Sequence, residues 1–183
     1  MTTKIPNLII VAGDGRNSGK TSMCRRIIRE SGATGISAIK ISPHFHDPGE
    51  GLVQISENEE FALYEETNSK TGKDSSEMLR AGAEKVYYIQ VTDGSTASAF
   101  RKVLSYIPSG NPIICESPSL IRHFEPGVFI IMVSEDESLR KDISEMKKHA
   151  HIEFTLTRLN STTTLPFRWT GKKWVRSRTS ILF

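Results

Sequence analysis

Only two cysteines, Cys24 and Cys115, occur in the 183 residues. Two are too few for a disulfide framework or a cysteine-built metal cluster, and both lie in apolar stretches where a free thiol behaves as a small hydrophobe. Long apolar runs are also missing: none approaches the ~20 residues that a membrane-spanning helix needs. The opening Met1-Thr-Thr-Lys-Ile-Pro6 carries no secretion-signal pattern. A soluble cytoplasmic protein with no membrane partner is the expectation. Excess charge is scarce too, because 24 Lys and Arg against 21 Asp and Glu leave +3. Such a balance does not attract nucleic acid over the whole chain. Basic residues do gather late, at Arg158, Arg168, Lys172, Lys173, Arg176 and Arg178. They alternate with Phe167, Trp169, Trp174 and Val175, which reads as a solvated hairpin over 164–179 rather than a nucleic-acid surface. Repeats and low-complexity tracts are absent, and the length suits one domain spanning 1–183.

What is present is a glycine-rich turn, Gly13-Asp-Gly-Arg-Asn-Ser-Gly-Lys-Thr-Ser22. It follows Asn7-Leu-Ile-Ile-Val-Ala12, a short apolar run of the kind found in buried parallel strands. Met23, Ile27 and Ile28 then recur at helical spacing, and Gly32 marks the expected helix end. Strand, glycine turn and helix together form a phosphate cradle, in which converging backbone N–H groups meet phosphate oxygens. Lys20 is spaced to reach β- and γ-phosphate oxygens and the Thr21 hydroxyl to meet Mg²⁺, with Ser22 beside it. Gly13, Gly15, Arg16, Asn17, Ser18 and Gly19 supply the loop. The pattern Gly-x₄-Gly-Lys-[Ser/Thr] wants glycine where Asp14 stands. Gly13 and Gly15 are expected to supply the missing φ freedom with the turn shifted by one residue.

Further strands are expected at Gly35–Ile41, Lys85–Val91, Pro112–Glu116 and Gly127–Val133, and helices from Asp74, from Ser95 to Ile107 and from Ser134 to about His149. Alternation of this kind gives a three-layer α/β fold: a mainly parallel sheet flanked by helices, with the glycine turn at the carboxyl edge. The C-terminal hairpin is expected at one edge of the sheet. Residues 42–72 form an irregular excursion, with a short hairpin open to Leu52–Ile55 and Phe61–Tyr64.

Mg²⁺ prefers oxygen ligands, and Glu116 ends a buried strand at the edge where ligands collect. It is the candidate metal carboxylate beside Thr21. Asp74 has two readings, a helix cap or a second acid near the γ-phosphate. Lys40, at the end of the second strand, could reach a phosphate, and His44 and His46 could meet an anionic substrate.

Gly72-Lys-Asp-Ser75 followed by Arg80-Ala-Gly-Ala83, taken with the glycine turn, Lys40 and the His44–Asp47 loop, resembles the molybdopterin-guanine dinucleotide biosynthesis protein B (MobB) family over roughly residues 5–133. The resemblance implies a P-loop NTPase fold, GTP as nucleotide (ATP being the alternative), Mg²⁺ and usually a homodimer. It also implies an accessory role beside a molybdopterin guanylyltransferase, with weak GTPase activity. It gives Lys20, Asp74 and Glu116 catalytic roles and adds Arg80 to the substrate set. The histidine segment is shorter than the family's, the loop after it longer, and Ser117 stands where the family has glycine. A small-molecule kinase and a nucleotide-gated interaction module using the basic hairpin are the rival functions.

Overall fold

In Asn7–Ala12 every residue from Leu8 onward is buried, and alternate side chains serve opposite faces of one sheet. Leu8, Ile10 and Ala12 join one core; Ile9 and Val11 join the other. A run that is apolar at every position thus marks a strand covered on both sides. The computed structural model describes residues 2–177. Within them, β1 (Thr3–Gly13) has β6 (Ile113–Glu116) and β7 (Phe124–Met132) as parallel neighbours. β2 (Ser37–Ser42) lies parallel between β6 and β5 (Lys85–Val91), and β8 (Ile152–Phe154) extends the other side parallel to β7.

The excursion is more regular than its composition suggests. β3 (Leu52–Glu57) and β4 (Phe61–Glu66) form a hairpin that joins the main sheet, antiparallel to each other and to β5. The result is an eight-stranded mixed sheet in the order β3-β4-β5-β2-β6-β1-β7-β8. Phe61, Ala62, Leu63 and Tyr64 are all buried, which anchors β4 as an interior strand.

Helix α1 (Lys20–Glu30) buries Met23, Cys24, Ile27 and Ile28 on one face of the sheet. α2 (Asp74–Arg80) and α5 (Leu156–Ser161) pack on that side through Met78 and Leu159. α3 (Thr96–Leu104) covers the other face with Ala99, Phe100 and Val103. The architecture is α/β, a mainly parallel sheet flanked by helices, with an antiparallel C-terminal hairpin.

Three expectations are corrected. The long helix from Ser134 does not form; a single turn at Glu137–Leu139 and a four-residue α4 (Ser144–Lys147) take its place. Asp136, not Ser134, caps the single turn, its carboxylate accepting the Ser138 N–H at 2.9 Å. The hairpin of β9 (Phe167–Trp169) and β10 (Trp174–Arg176) does not extend the sheet's edge. It packs Phe167 and Trp174 into the α1-side core, near the amino ends of β1 and β7, far along those strands from the glycine turn. Positions 178 and 179 of the expected hairpin lie outside the described residues. Last, α5 and β8 were not among the expected elements, though Phe154 is buried and Thr155 caps α5 by accepting the Arg158 N–H at 3.1 Å.

His151 links β8 to β7: its Nδ1 accepts the Phe129 N–H at 3.0 Å, so the ring is a neutral acceptor there. Burial lowers its pKa, and nearby Arg176 adds to this. A depressed histidine pKa contributes stability that is present above the unfolded value of about 6.5 and is lost as pH falls through the folded one. Melting temperature should therefore drop between pH 7 and pH 5, and less in His151→Gln, whose amide oxygen accepts without titrating. Equal pH dependence in the two proteins would contradict this. Among the described residues no helix is long and apolar enough to cross a membrane.

Candidate functional site

β1 delivers the chain into the glycine turn at its carboxyl end, and Gly19 then starts α1 with φ 91°. No side chain caps α1. The N–H groups of its first turn, which have no acceptor in a preceding turn, and the positive end of the helix dipole form a place where an anion would be favoured. The unusual φ values fall at Asn17 (56°) and Gly19, not at Gly13 or Gly15 as expected. Those two glycines serve close approach instead. A Cβ on Gly13 would lie 2.4 Å from Ser18 Oγ, and one on Gly15 would lie 2.4 Å from the Leu139 carbonyl oxygen.

Asp14, the apparent defect in the pattern, is buried and bonded across the fold. Its Oδ1 accepts the Ser134 N–H at 2.7 Å, its Oδ2 is 3.7 Å from Arg140 Nε, and its backbone carbonyl accepts the Lys141 N–H at 2.6 Å. Residues 134–141 are thereby strapped against the glycine turn. A helix from Ser134 would have turned the Lys141 N–H onto residue 137, so the bond to Asp14 is incompatible with that helix running through Lys141.

Lys20 lies back over the loop, its Nζ donating to the Gly15 carbonyl at 2.5 Å and to Ser18 Oγ at 3.1 Å. Burial lowers its pKa, an effect opposed mainly by Glu116. Thr21 Oγ1 stands 2.9 Å from Asp74 Oδ1 and 3.0 Å from Glu116 Oε2, so its one proton faces two carboxylate acceptors. Lys40 Nζ closes the group, 2.8 Å from Asp74 Oδ2 and paired with Glu116 Oε1. Sheet register brings this about, since Lys40 and Glu116 are direct partners on adjacent parallel strands and Val11 is the Glu116 partner on the other side. The Glu116 side chain is 3% exposed. Burial alone would lower the Lys40 pKa, but Glu116 and Asp74 outweigh it and hold the ammonium above the ordinary lysine range. Burial also opposes ionisation of Asp74, yet Lys40 and the Thr21 hydroxyl keep its carboxyl below its usual value.

Asp74 is not a cap. Lys73 holds the N-cap position of α2 without a side-chain bond, while the Asp74 carboxylate turns to Lys40 and Thr21. Two further candidates stand apart from the glycine turn. Arg80 reaches the Ser69 carbonyl at 3.3 Å and Glu77 at 3.6 Å, bracing the loop before α2 rather than lining the cavity. His46 faces away from the glycine turn, its Nε2 3.0 Å from the Tyr88 hydroxyl and its Nδ1 2.9 Å from the Asp47 carbonyl.

The glycine turn from Gly15 to Ser22, Gly13, Lys40, His44, Asp74 and Glu116 all line one cavity of about 630 Å³. Arg16 and Asn17 are exposed on its rim. Pro118, Lys141 and Leu156 line it as well. Sequence pattern gave no sign of them, because they come from loops and a short helix after β6, β7 and β8. A second cavity of about 460 Å³ adjoins it and shares Lys40, Ser42 and Asp74, with His46, Leu52, Lys73 and Tyr88 among its other walls.

Among the described residues no group of three or more His, Cys, Asp or Glu is arranged to hold a metal ion. The set Thr21, Glu116 and Asp74 is nevertheless all oxygen, with two carboxylates. That suits Mg²⁺, which is commonly held by one or two carboxylates, waters and the phosphates of its ligand. Against known proteins, the chain matches no family model, no curated protein and no solved structure.

Proposed function

We propose that this is a P-loop protein that binds a nucleoside triphosphate with Mg²⁺ and hydrolyses it slowly. The observation that carries the reading is the Thr21 hydroxyl held between Glu116 and Asp74 at the mouth of an uncapped, glycine-led helix start. Triphosphate oxygens fit against the N–H groups of residues 15–21, with Lys20 released from the Gly15 carbonyl onto the β- and γ-phosphates. Thr21 and Glu116 are the protein's metal ligands. Mg²⁺, when bound, supplies charge neutralisation to the phosphoryl oxygens. Asp74, more exposed than Glu116, is the carboxylate that orients an attacking water. The cavity's volume lies in the range of small-molecule sites.

The MobB resemblance supports GTP as the nucleotide and an accessory role, as a dimer, in molybdopterin guanine dinucleotide assembly. A kinase of the same fold is favoured by one observation, the second cavity that meets the first at Lys40 and Asp74. It would seat an acceptor hydroxyl beside the γ-phosphate.

Thermal shift tests the central reading. At 100 times its Kd a ligand adds about 2.7 kcal/mol to folding stability, which for a chain of this size corresponds to ~5–10 °C. GTP or ATP with Mg²⁺ should produce such a rise, and the nucleotide without Mg²⁺ a smaller one. No rise with either nucleotide would refute the reading. Transfer of phosphate to a metabolite rather than to water would select the kinase. In Glu116→Gln the Mg²⁺ concentration needed for half-maximal nucleotide binding should increase by about tenfold, as expected for the loss of one charged ligand.

A further inference from the structure

Lys40 is the most tightly engaged cation of the site, yet phosphate binding is not what engages it. Its Nζ is 2.8 Å from Asp74 Oδ2 and paired with Glu116 Oε1, while Thr21 Oγ1 approaches the other oxygen of each carboxylate at 2.9 and 3.0 Å. The ammonium thus bonds one oxygen of each carboxylate, and the single hydroxyl proton of Thr21 serves one of the two that remain. Two carboxylates this close, one of them 3% exposed, repel each other unless a cation lies between them. In the nucleotide-free protein that cation is Lys40. An ion held by Glu116 and Thr21 beside Asp74 would bring its charge to the same pair of carboxylates that the ammonium now bridges.

We infer that Lys40 is an internal counter-cation that bridges the two acids in place of Mg²⁺ and exchanges with the ion. The inference rests on the nucleotide–Mg²⁺ reading of this site. A lone divalent ion arriving at the folded protein must displace an ammonium already bonded to both acids, so its affinity without nucleotide is low. A triphosphate changes the balance, because its γ-oxygens offer the displaced ammonium a new partner within the same cavity, whose lining Lys40 shares. Lys40 can also swing to the second cavity, which it lines too. Exchange would couple metal binding to triphosphate binding, so that neither bare Mg²⁺ nor metal-free nucleotide assembles the site. Lys40 is a positioning residue in this account, acting through the metal ligands.

Mn²⁺ binding to the nucleotide-free protein, followed by the electron paramagnetic resonance of the free ion, tests the exchange. Lys40→Met should bind Mn²⁺ at least about tenfold more tightly than wild type, since a competing positive charge a few ångströms from the ion has been removed. Its melting temperature should rise with millimolar Mg²⁺ and not with NaCl of matched ionic strength. Equal or weaker Mn²⁺ binding by the variant would overturn the inference, because a merely structural Lys40 would leave the acids distorted and no better as ligands. If Lys40→Met does not fold, lysine Nζ resonances of the wild type decide, with Lys40→Arg assigning the signal. The Lys40 ammonium should exchange its protons slowly without metal and lose that protection as Mg²⁺ is raised to about 100 mM, where screening alone is short-ranged but present; NaCl of equal ionic strength is the control. Protection unchanged by Mg²⁺ would overturn it. The parent reading fails separately, if wild type binds neither GTP nor ATP with Mg²⁺.

Discussion

Lys20→Ala should weaken triphosphate binding by two to three orders of magnitude while leaving the fold close to intact. Lys20 is the cation nearest the start of α1, and its ammonium now rests on the Gly15 carbonyl and Ser18 hydroxyl of the loop that would hold the phosphates. Each charge-assisted bond from it to a phosphate oxygen is worth about 1.5–3 kcal/mol, so two of them amount to ~3–4 kcal/mol after the loop bonds are given up, or roughly 10²–10³ in Kd. The cost to the unliganded protein is smaller, because both bonds that are lost end on groups beside the open cavity. Isothermal titration with GTP and ATP gives the affinity, and melting temperature without nucleotide controls for folding. An unchanged Kd would mean that the glycine turn is not a phosphate site.

Asp14→Gly should destabilise the protein and loosen nucleotide binding, although it restores the glycine that the motif formally wants. The carboxylate is 3% exposed, accepts the Ser134 N–H and lies near Arg140. Without it a buried N–H is orphaned, at about 1–3 kcal/mol, and the added glycine freedom costs a further ~0.5–1 kcal/mol. The sum corresponds to a fall of ~3–15 °C in melting temperature. Triphosphate affinity should drop in step, as residues 134–141 lose their hold on the turn. Tighter nucleotide binding with an unchanged melting temperature would show that the loop geometry, and not the strap, limits the site.

These two variants separate what the sequence makes legible from what it does not. β1, β2, β5 and β6 were readable because their runs are mostly apolar, β-branched or aromatic, as strands covered on both faces are, and α1 because Met23, Ile27 and Ile28 share one face. The glycine turn between β1 and α1 was readable because strand, turn and helix follow one another in the chain. The acid–lysine group was legible only as separate candidates. Lys40 and Glu116 are 76 residues apart, and sheet register alone makes them neighbours. Asp74 looked equally like a cap, since both uses require an acid at a helix start. Cap spacing after Ser134 misled for a related reason: the spacing is there, but the Lys141 N–H that the helix would use goes to the distant Asp14 carbonyl instead. That His46 and Arg80 stand apart from the glycine turn was not legible, because a side chain's direction is not written in its spacing.

The bond from Ser134 to Asp14 joins positions 120 residues apart. During synthesis, a growing chain has every residue of the 13–22 motif from early on, yet nothing to brace it until β7 has docked beside β1 and the residues that follow have emerged. The braced form of the turn is therefore a late event in the life of each new molecule, and a fragment ending before residue 134 would carry the motif in full without the bond from Ser134 to Asp14.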